Sequence, residues 1–226
     1  MLPEENTRYN CAMAKYPVFL EMTGRRVVVI GGGVVAVRKA RSLLEAGARL
    51  VVVAEKVSEV LAELCAGHGA ELIKSKYSKE YLSKATMAIA ATDDRQLNGR
   101  VYRDCQELEI LCNVVDAPEL CDFFVPAVVK RGDLQVSVCT EGYCPAYAGH
   151  LRKKLEKVIT EKHGQFLAEL EKIRDHIMDE VASPAERKAV LGELVDDKSF
   201  AYFRRSGPAA WRRKARETIE SHTVKT

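Results

Sequence analysis

Four short groups of residues in this chain have types and spacings that could do chemistry together. The first is Gly31-Gly32-Gly33-Val34-Val35-Ala36, which fits the pattern Gly-x-Gly-x-x-Gly/Ala. In that pattern Gly31 permits a tight turn, Gly33 lets a pyrophosphate approach the backbone, and the small Ala36 allows close strand–helix packing. The phosphates would lie against free amides at the start of the following helix. The second group is Glu55 with Lys56 beside it, directly after Val51-Val52-Val53-Ala54. A carboxylate about twenty residues beyond the glycine loop can accept hydrogen bonds from the adenosine ribose hydroxyls. It would repel the extra phosphate of NADP, so NAD is the expected cofactor. Lys56 could welcome that phosphate instead, and a solvated loop carboxylate is the plain alternative for Glu55. The third group is Thr92-Asp93-Asp94, where Thr92 is a candidate cofactor contact and one aspartate a candidate helix cap. The fourth is Asp116, at the carboxyl end of another apolar run and just before Ala117-Pro118, where a turn aspartate is the ordinary structural reading.

The elements that must position these residues are legible from apolar patterning. Val27–Ile30, Leu50–Val53, Glu71–Lys74, Met87–Ala91 and Ile110–Val115 read as strands. Between them Val35–Ala46, Ser58–Ala66 and Arg95–Glu107 read as helices, the first two closed by Gly47 and Gly67. Strands alternating with helices of this length imply parallel βαβ units with right-handed crossovers, an α/β Rossmann-type sheet. The rhythm then changes. Phe123–Val129 and Leu134–Val138 read as a hairpin joined by Lys130-Arg131-Gly132-Asp133, with glycine supplying the positive φ of a tight turn. Beyond Pro145 the pattern is helical to the end: Ala146–Thr160, Lys162–Val181, a helix opened by Ser183-Pro184 and a last one opened by Pro208. The expected organisation is a dinucleotide-binding domain over 1–115, a hairpin and dimerisation region over 116–145, and a helical domain over 146–226.

Bulk properties narrow the class. The 226 residues are 47% hydrophobic and 30% charged, with a formal net charge of +3, values of an ordinary globular protein rather than a disordered one. No apolar run approaches the ~20 residues of a membrane helix, and the first residues lack the order of a signal peptide, so a cytoplasmic location is expected. The seven cysteines are odd in number, none forms Cys-x-x-Cys, and several sit in apolar runs; a metal cluster built from them is not expected. Lys and Arg cluster in 150–175 and 203–216, but no nucleic-acid-reading motif accompanies them, and no nucleic-acid partner is expected.

At this point the residues resemble a family. Tyr16-Pro-Val-Phe-Leu, Gly31-Gly-Gly-Val-Val-Ala-Val-Arg-Lys-Ala, Leu43-Leu-Glu-Ala-Gly-Ala, Ala90-Ala-Thr-Asp-Asp and Asn113-Val-Val-Asp-Ala-Pro together are similar to the precorrin-2 dehydrogenases. Cys144-Pro-Ala-Tyr-Ala-Gly-His-Leu-Arg-Lys-Lys-Leu-Glu is a less faithful match. These enzymes also form the amino-terminal part of multifunctional siroheme synthases. The resemblance covers roughly residues 15–160. It implies NAD-dependent oxidation of precorrin-2 to sirohydrochlorin, a homodimer joined at the hairpin region, and in some members insertion of ferrous iron. It maps the family's important aspartate onto Asp116 and its cofactor contacts onto Val34, Val35, Glu55 and Lys56. A Ser/Thr-rich turn near the substrate maps onto Cys139-Thr140-Glu141-Gly142. The family commonly has two glycines and a Ser-Pro where this chain has Glu141-Gly142-Tyr143-Cys144-Pro145, so Glu141 and Cys144 are departures.

Precorrin-2 carries eight carboxylates, and its oxidation releases a hydride and a proton. A carboxylate at the rim of the nicotinamide pocket is a reasonable base, which is the role expected of Asp116. Cations should hold the substrate, with Arg131 and Arg152 the candidates and the neutral hydroxyl of Thr140 a further substrate contact, while Arg38 and Lys39 lie on neighbouring helix directions and cannot both face a cleft. Among the histidines His150 alone belongs to the family-like segment, and no pair has metal-site spacing. Another small NAD-dependent oxidoreductase, or a dinucleotide-sensing regulatory domain, would share the glycine loop. Neither would be expected to carry the Asn113–Pro118 segment, the hairpin and the helical tail.

Overall fold

The structure, a computed structural model, describes residues 15–223; Cys11 and the amino-terminal segment read above for a signal peptide lie outside the described residues. The chain divides into two compact units, with the division between Phe124 and Val125.

The first unit is built on a parallel sheet of β1 (Arg26–Ile30), β2 (Arg49–Val53), β3 (Glu71–Ile73), β4 (Met87–Ala90) and β5 (Leu111–Val114), in the order β3-β2-β1-β4-β5. Helices α1 (Val34–Glu45), α2 (Glu59–His68) and α3 (Arg95–Glu107) connect it, and a short 3₁₀ turn spans Lys79–Leu82. Period-two alternation of the strands decides the layers. Val27, Val29, Leu50, Val52, Met87 and Ile89 face α1 and α2 through Ala36, Ala40, Leu43, Leu61 and Leu64. Val28, Ile30, Val51, Val53, Ala88 and Val114 face the other way, onto Val101 and Cys105 of α3. Both sheet faces are therefore covered, which is why the strands read as unbroken apolar runs. The chain leaves β1 for β2 on one side and later returns to β4 on the other. That reversal between β1 and β4 is the switch point at which open α/β sheets bind ligands.

Residues 115–124 belong with this unit. A bridge pairs Asn113 with Cys121. The Asp122 carboxylate accepts the Cys112 backbone N–H at 2.8 Å, and the Asp122 N–H donates to the Cys112 carbonyl, also at 2.8 Å. Pro118–Leu120 forms one 3₁₀ turn.

The second unit contains the hairpin β6 (Ala127–Arg131) and β7 (Leu134–Val138), closed by Gly132-Asp133 with Gly132 at φ +59°. The first hairpin strand begins at Ala127 rather than Phe123; Pro126, directly before it, has no N–H to give a ladder. Helices α4 (Pro145–Val158), α5 (Glu161–Glu180), α6 (Pro184–Leu194) and α7 (Asp197–Thr223) follow. The last element begins well before Pro208. Gly207, at φ +81° and ψ 172°, breaks α7 into two helical stretches, and Pro208 starts the second. Phe203 before the kink and Trp211 after it are both buried with Phe166, Ile173, Ile177 and Val190. The Trp211 indole N–H donates to Ser199 Oγ at 2.8 Å, so burying it leaves no unpaired donor. The division at 124/125 falls within the segment anticipated as 116–145, and the hairpin is grouped with the helices.

Candidate functional site

Every strand of the first unit that could present a ligand contact ends at one edge. Gly31–Gly33 follows β1, Glu55 and Lys56 follow β2, Thr92–Asp94 follows β4, and Asp116 follows β5. A cleft of about 940 Å³ is lined by Gly31, Gly32, Gly33, Val34, Val35, Glu55, Lys56 and Thr92 among others. All seven residues expected to contact the cofactor therefore meet in one place. Glu55 and Lys56 are exposed at its wall, and Ser75, Lys76 and Tyr77 extend that wall beyond them.

The glycines divide their work differently from the motif's usual explanation. Gly31 sits at φ +129°, and a Cβ there would lie 2.2 Å from the Ala91 carbonyl oxygen. A Cβ on Gly33 would meet nothing within 4 Å, which leaves the backbone open for a phosphate. Gly32, the variable position of the pattern, is as constrained as Gly31: its Cβ would lie 1.9 Å from the Lys56 carbonyl oxygen. The Gly32 carbonyl also accepts the Ser58 N–H at 3.0 Å, so the glycine loop and the Glu55–Ser58 loop are fastened together. No side chain caps α1, whose first amides face the cleft region through Val34 and Val35. Lack of a cap costs about 1 kcal/mol, whereas burying one large apolar side chain stabilises by about 1.5–3 kcal/mol, so packing holds the helix with its end open.

The Thr92-Asp93-Asp94 group splits as its chemistry suggests. Asp94 caps α3, accepting the N–H groups of Gln96 at 2.8 Å and Leu97 at 3.0 Å. Thr92 is locked to the buried Asn98: its Oγ1 donates to Asn98 Oδ1 at 2.6 Å while the Asn98 amide donates to its carbonyl at 2.9 Å. Tyr77, on the cleft wall, donates to Asp104 at 2.9 Å, and burial with that bond pushes its hydroxyl pKa well above the usual range.

Asp116 lines a second hollow of about 390 Å³ with Arg95, Asn98, Val114, Ala117 and Glu119. Val35, Ala91, Thr92 and Asp93 line both this hollow and the cleft, so the two adjoin. Asp116 is left-handed, at φ +59°. One turn of α1 beyond Val35 stands Lys39, half-buried, while Arg38 is exposed. Burial pulls the Lys39 ammonium below its ordinary pKa and Arg38 adds to that, against the favourable field of Asp116. Of the two neighbouring cations, Lys39 is the more buried, a choice that sequence spacing left open.

The remaining candidates belong to the second unit. The Arg131 guanidinium is engaged by the Lys130 and Glu156 carbonyls and by Glu161 at 3.2 Å, tying β6 to α4 and α5. Arg152 pairs with Glu156. Both proposed clamps already have partners within the unit. Thr140 Oγ1 accepts the Cys144 N–H at 3.4 Å in a turn where Glu141 is left-handed, at φ +51°, and Gly142 likewise, at φ +83°. His150 is exposed beside Tyr147. Among the described residues no group of three or more His, Cys, Asp or Glu side chains could hold a metal ion, and no helix is long and apolar enough to cross a membrane.

Comparison with known proteins bears directly on this arrangement. Residues 18–127 match a family described as "Putative NAD(P)-binding". The siroheme synthase of Psychrobacter sp. (strain PRwf-1) is 35% identical over 186 residues, 82% of this chain and 38% of that protein. The siroheme synthase of Pseudomonas fluorescens (strain SBW25) is 39% identical over 178 residues, 79% of this chain and 38% of that protein. The solved structure of SirC, precorrin-2 dehydrogenase, superposes with a TM-score of 0.75 at 26% identity, over 92% of this chain and 100% of that one. The chain belongs to the precorrin-2 dehydrogenase family. It spans 38% of the length of the two siroheme synthases it matches here.

Family membership gives the two departures a structural meaning. Glu141 occupies a left-handed position, where glycine is the residue without a steric cost. Cys144 is the N-cap residue of α4 and makes no side-chain capping bond, a place where serine would ordinarily supply one. The residues that sequence reasoning passed over are Gly32 and Cys121. Gly32 carried a signal only as the middle of a glycine triplet, and Cys121 makes contacts that close only in three dimensions.

Proposed function

We propose that this protein is an NAD-dependent precorrin-2 dehydrogenase, oxidising the macrocycle to sirohydrochlorin. One observation carries the reading: the hollow containing Asp116 opens directly beside the cleft of the glycine loop, sharing four lining residues with it. The cleft fits the dinucleotide. Space lies open over Gly33, and α1 presents uncapped amides, the arrangement that favours a pyrophosphate. Glu55 would accept the ribose hydroxyls and disfavour a 2′-phosphate, which selects NAD over NADP. When bound, NAD supplies the hydride acceptor. Val34 and Val35 hold the phosphate end through their backbone amides, and Thr92, immobilised by Asn98, borders the place where cleft and hollow meet.

Loss of a hydride from the macrocycle leaves a cationic carbon skeleton that must shed a proton. The Asp116 carboxylate, at the carboxyl edge of β5, is the base that accepts it. Thr140, Arg131 and Arg152 are the proposed contacts to substrate carboxylates; since both arginines are already paired, they would serve by sharing their donors. Exposed Val125, Val128, Tyr143 and Tyr147 give the second unit apolar surface suited to a homodimer. Ferrous iron, where inserted, is a substrate.

The test is anaerobic incubation of the protein with precorrin-2 and NAD, following NADH and the sirohydrochlorin spectrum. Turnover is expected, with Asp116→Ala lowering kcat by roughly a hundredfold or more. No turnover by the wild-type protein overturns the reading, and full turnover by D116A removes Asp116 as the base. Ferrous iron added to the same reaction reports chelation as siroheme, and sedimentation analysis reports the dimer.

A further inference from the structure

The peptide that aims Asp116 is poorly closed by its own backbone. The Ala117 N–H reaches the Val114 carbonyl only at 3.4 Å, a weak turn bond. Asp116 itself occupies a left-handed conformation that side-chain-bearing residues ordinarily avoid. If φ relaxed toward the extended region, the carboxylate would swing away from its hollow.

A second closure comes from beneath. Cys121 Sγ donates toward the Val114 carbonyl at 3.2 Å and toward the Ala117 carbonyl at 3.2 Å, the residues that bracket the Val115–Asp116 peptide. A thiol has one proton, so the two carbonyls are drawn to a single point. The sulfur is oriented in turn by Asn113, whose amide donates to it at 3.3 Å and to the Phe123 carbonyl at 2.9 Å. Asn113 is buried, and its backbone pairs with Cys121 across an isolated bridge. The order of the sequence explains the device: the chain leaves β5, makes the Asp116 turn and the 3₁₀ turn, and comes back to β5 four residues after Ala117. We propose that Cys121, held by Asn113, is a positioning residue that fixes the Asp116 carboxylate in its left-handed turn at the hollow.

Burial raises the pKa of the Cys121 thiol, which keeps at neutral pH the proton that the two carbonyls require. The thiol acts here as a hydrogen-bond donor with no redox step. This inference rests on Asp116 being the base, so the experiment compares three variants for kcat, KM and NAD affinity. Cys121→Ala removes the donor, Cys121→Ser keeps one, and Asp116→Ala removes the carboxylate. Expected for C121A is a kcat lowered roughly ten- to a hundredfold, with NAD affinity and substrate KM within about twofold, and C121S recovering most of the loss. C121A turning over at the wild-type rate overturns the inference, as does a loss of NAD affinity in step with kcat, which would mean general unfolding. Should C121A fail to fold, C121S decides: near-wild-type turnover supports positioning by a donor. A kcat as low as that of D116A with NAD binding intact overturns it. A fully active D116A would sink the base assignment itself, a result separable from failure of C121A alone.

Discussion

At Gly32 a Cβ would stand 1.9 Å from the Lys56 carbonyl oxygen, and at Gly33 it would stand in open space. The two neighbours therefore make opposite predictions. Gly32→Ala must push the Glu55–Ser58 loop away from the glycine loop, losing stability by about 3 kcal/mol as overpacking against backbone does. Gly33 has φ −92°, a value that alanine accepts. Gly33→Ala should keep stability within about 1 kcal/mol while lowering NAD affinity at least roughly tenfold, because the methyl occupies the phosphate approach. Urea unfolding and NAD titration of both variants check this; a G32A protein as stable as wild type, or a G33A protein with undiminished affinity, contradicts it. The motif made Gly31 and Gly33 legible because their requirement is local to the turn and the ligand. Gly32 was not, since its constraint is the carbonyl of a loop twenty-four positions away that only the β1–β2 pairing brings near. Cys121 was hidden for the same reason, its partners being carbonyls that any residue carries.

Elements with one strong local signal stand close to where the sequence puts them. Helix α3 runs from Arg95 to Glu107, as the Asp94 cap and the apolar spacing require, and β1, β2 and β4 follow their β-branched runs to within a residue. Between Ser183 and Gly207 the sequence pattern shows helix but not the break after Leu194 and the new helix start at Asp197. The apolar residues of the stretch from Asp197 to Gly207, Phe200 and Phe203, find their partners in α5 and beyond the kink at Trp211, so the stretch alone shows little periodicity. The entry to α4 carries a prediction at this scale. Left-handed Glu141 costs about 1–2 kcal/mol relative to an unstrained position. Replacing it by glycine returns part of that as unfolded-chain entropy, about 0.4–1 kcal/mol. Glu141→Gly should thus stabilise by about 0.5–1 kcal/mol. Cys144→Ser should add a further ~0.5–1 kcal/mol by giving α4 the capping oxygen it lacks. Both sit in one turn, so the double variant measures their coupling as well. Denaturant midpoints no higher than wild type for either single variant would show that the turn is not strained, or the cap not open, in the way described.

For the whole molecule, the contact division at 124/125 rather than at residue 115 has a consequence that can be measured. Sequence periodicity stops at the end of the fifth strand, and nothing local to 116–124 announces a fold. In the structure those residues complete β5: Asp122 exchanges two backbone-directed bonds with Cys112, and the Asn113 amide is satisfied by Cys121 and Phe123. Val115 and Phe123 pack against one face of the sheet and Ala117 and Leu120 against the other. Removing them would leave a buried asparagine without its partners and open both faces, a combination that costs several kcal/mol in a domain whose total stability is about 5–15 kcal/mol. A fragment of residues 1–124 should therefore fold cooperatively and bind NAD within about threefold of the full chain's affinity, since every cofactor candidate lies inside it. NAD at a hundred times its Kd should raise the fragment's stability by about 2.7 kcal/mol. A fragment of residues 1–115 keeps the same glycine loop, Glu55, Lys56 and Thr92, yet should show no cooperative transition in circular dichroism and no saturable NAD binding. Equal folding and affinity in the two fragments would mean that the returning segment only carries Asp116, and that the sheet closes without it.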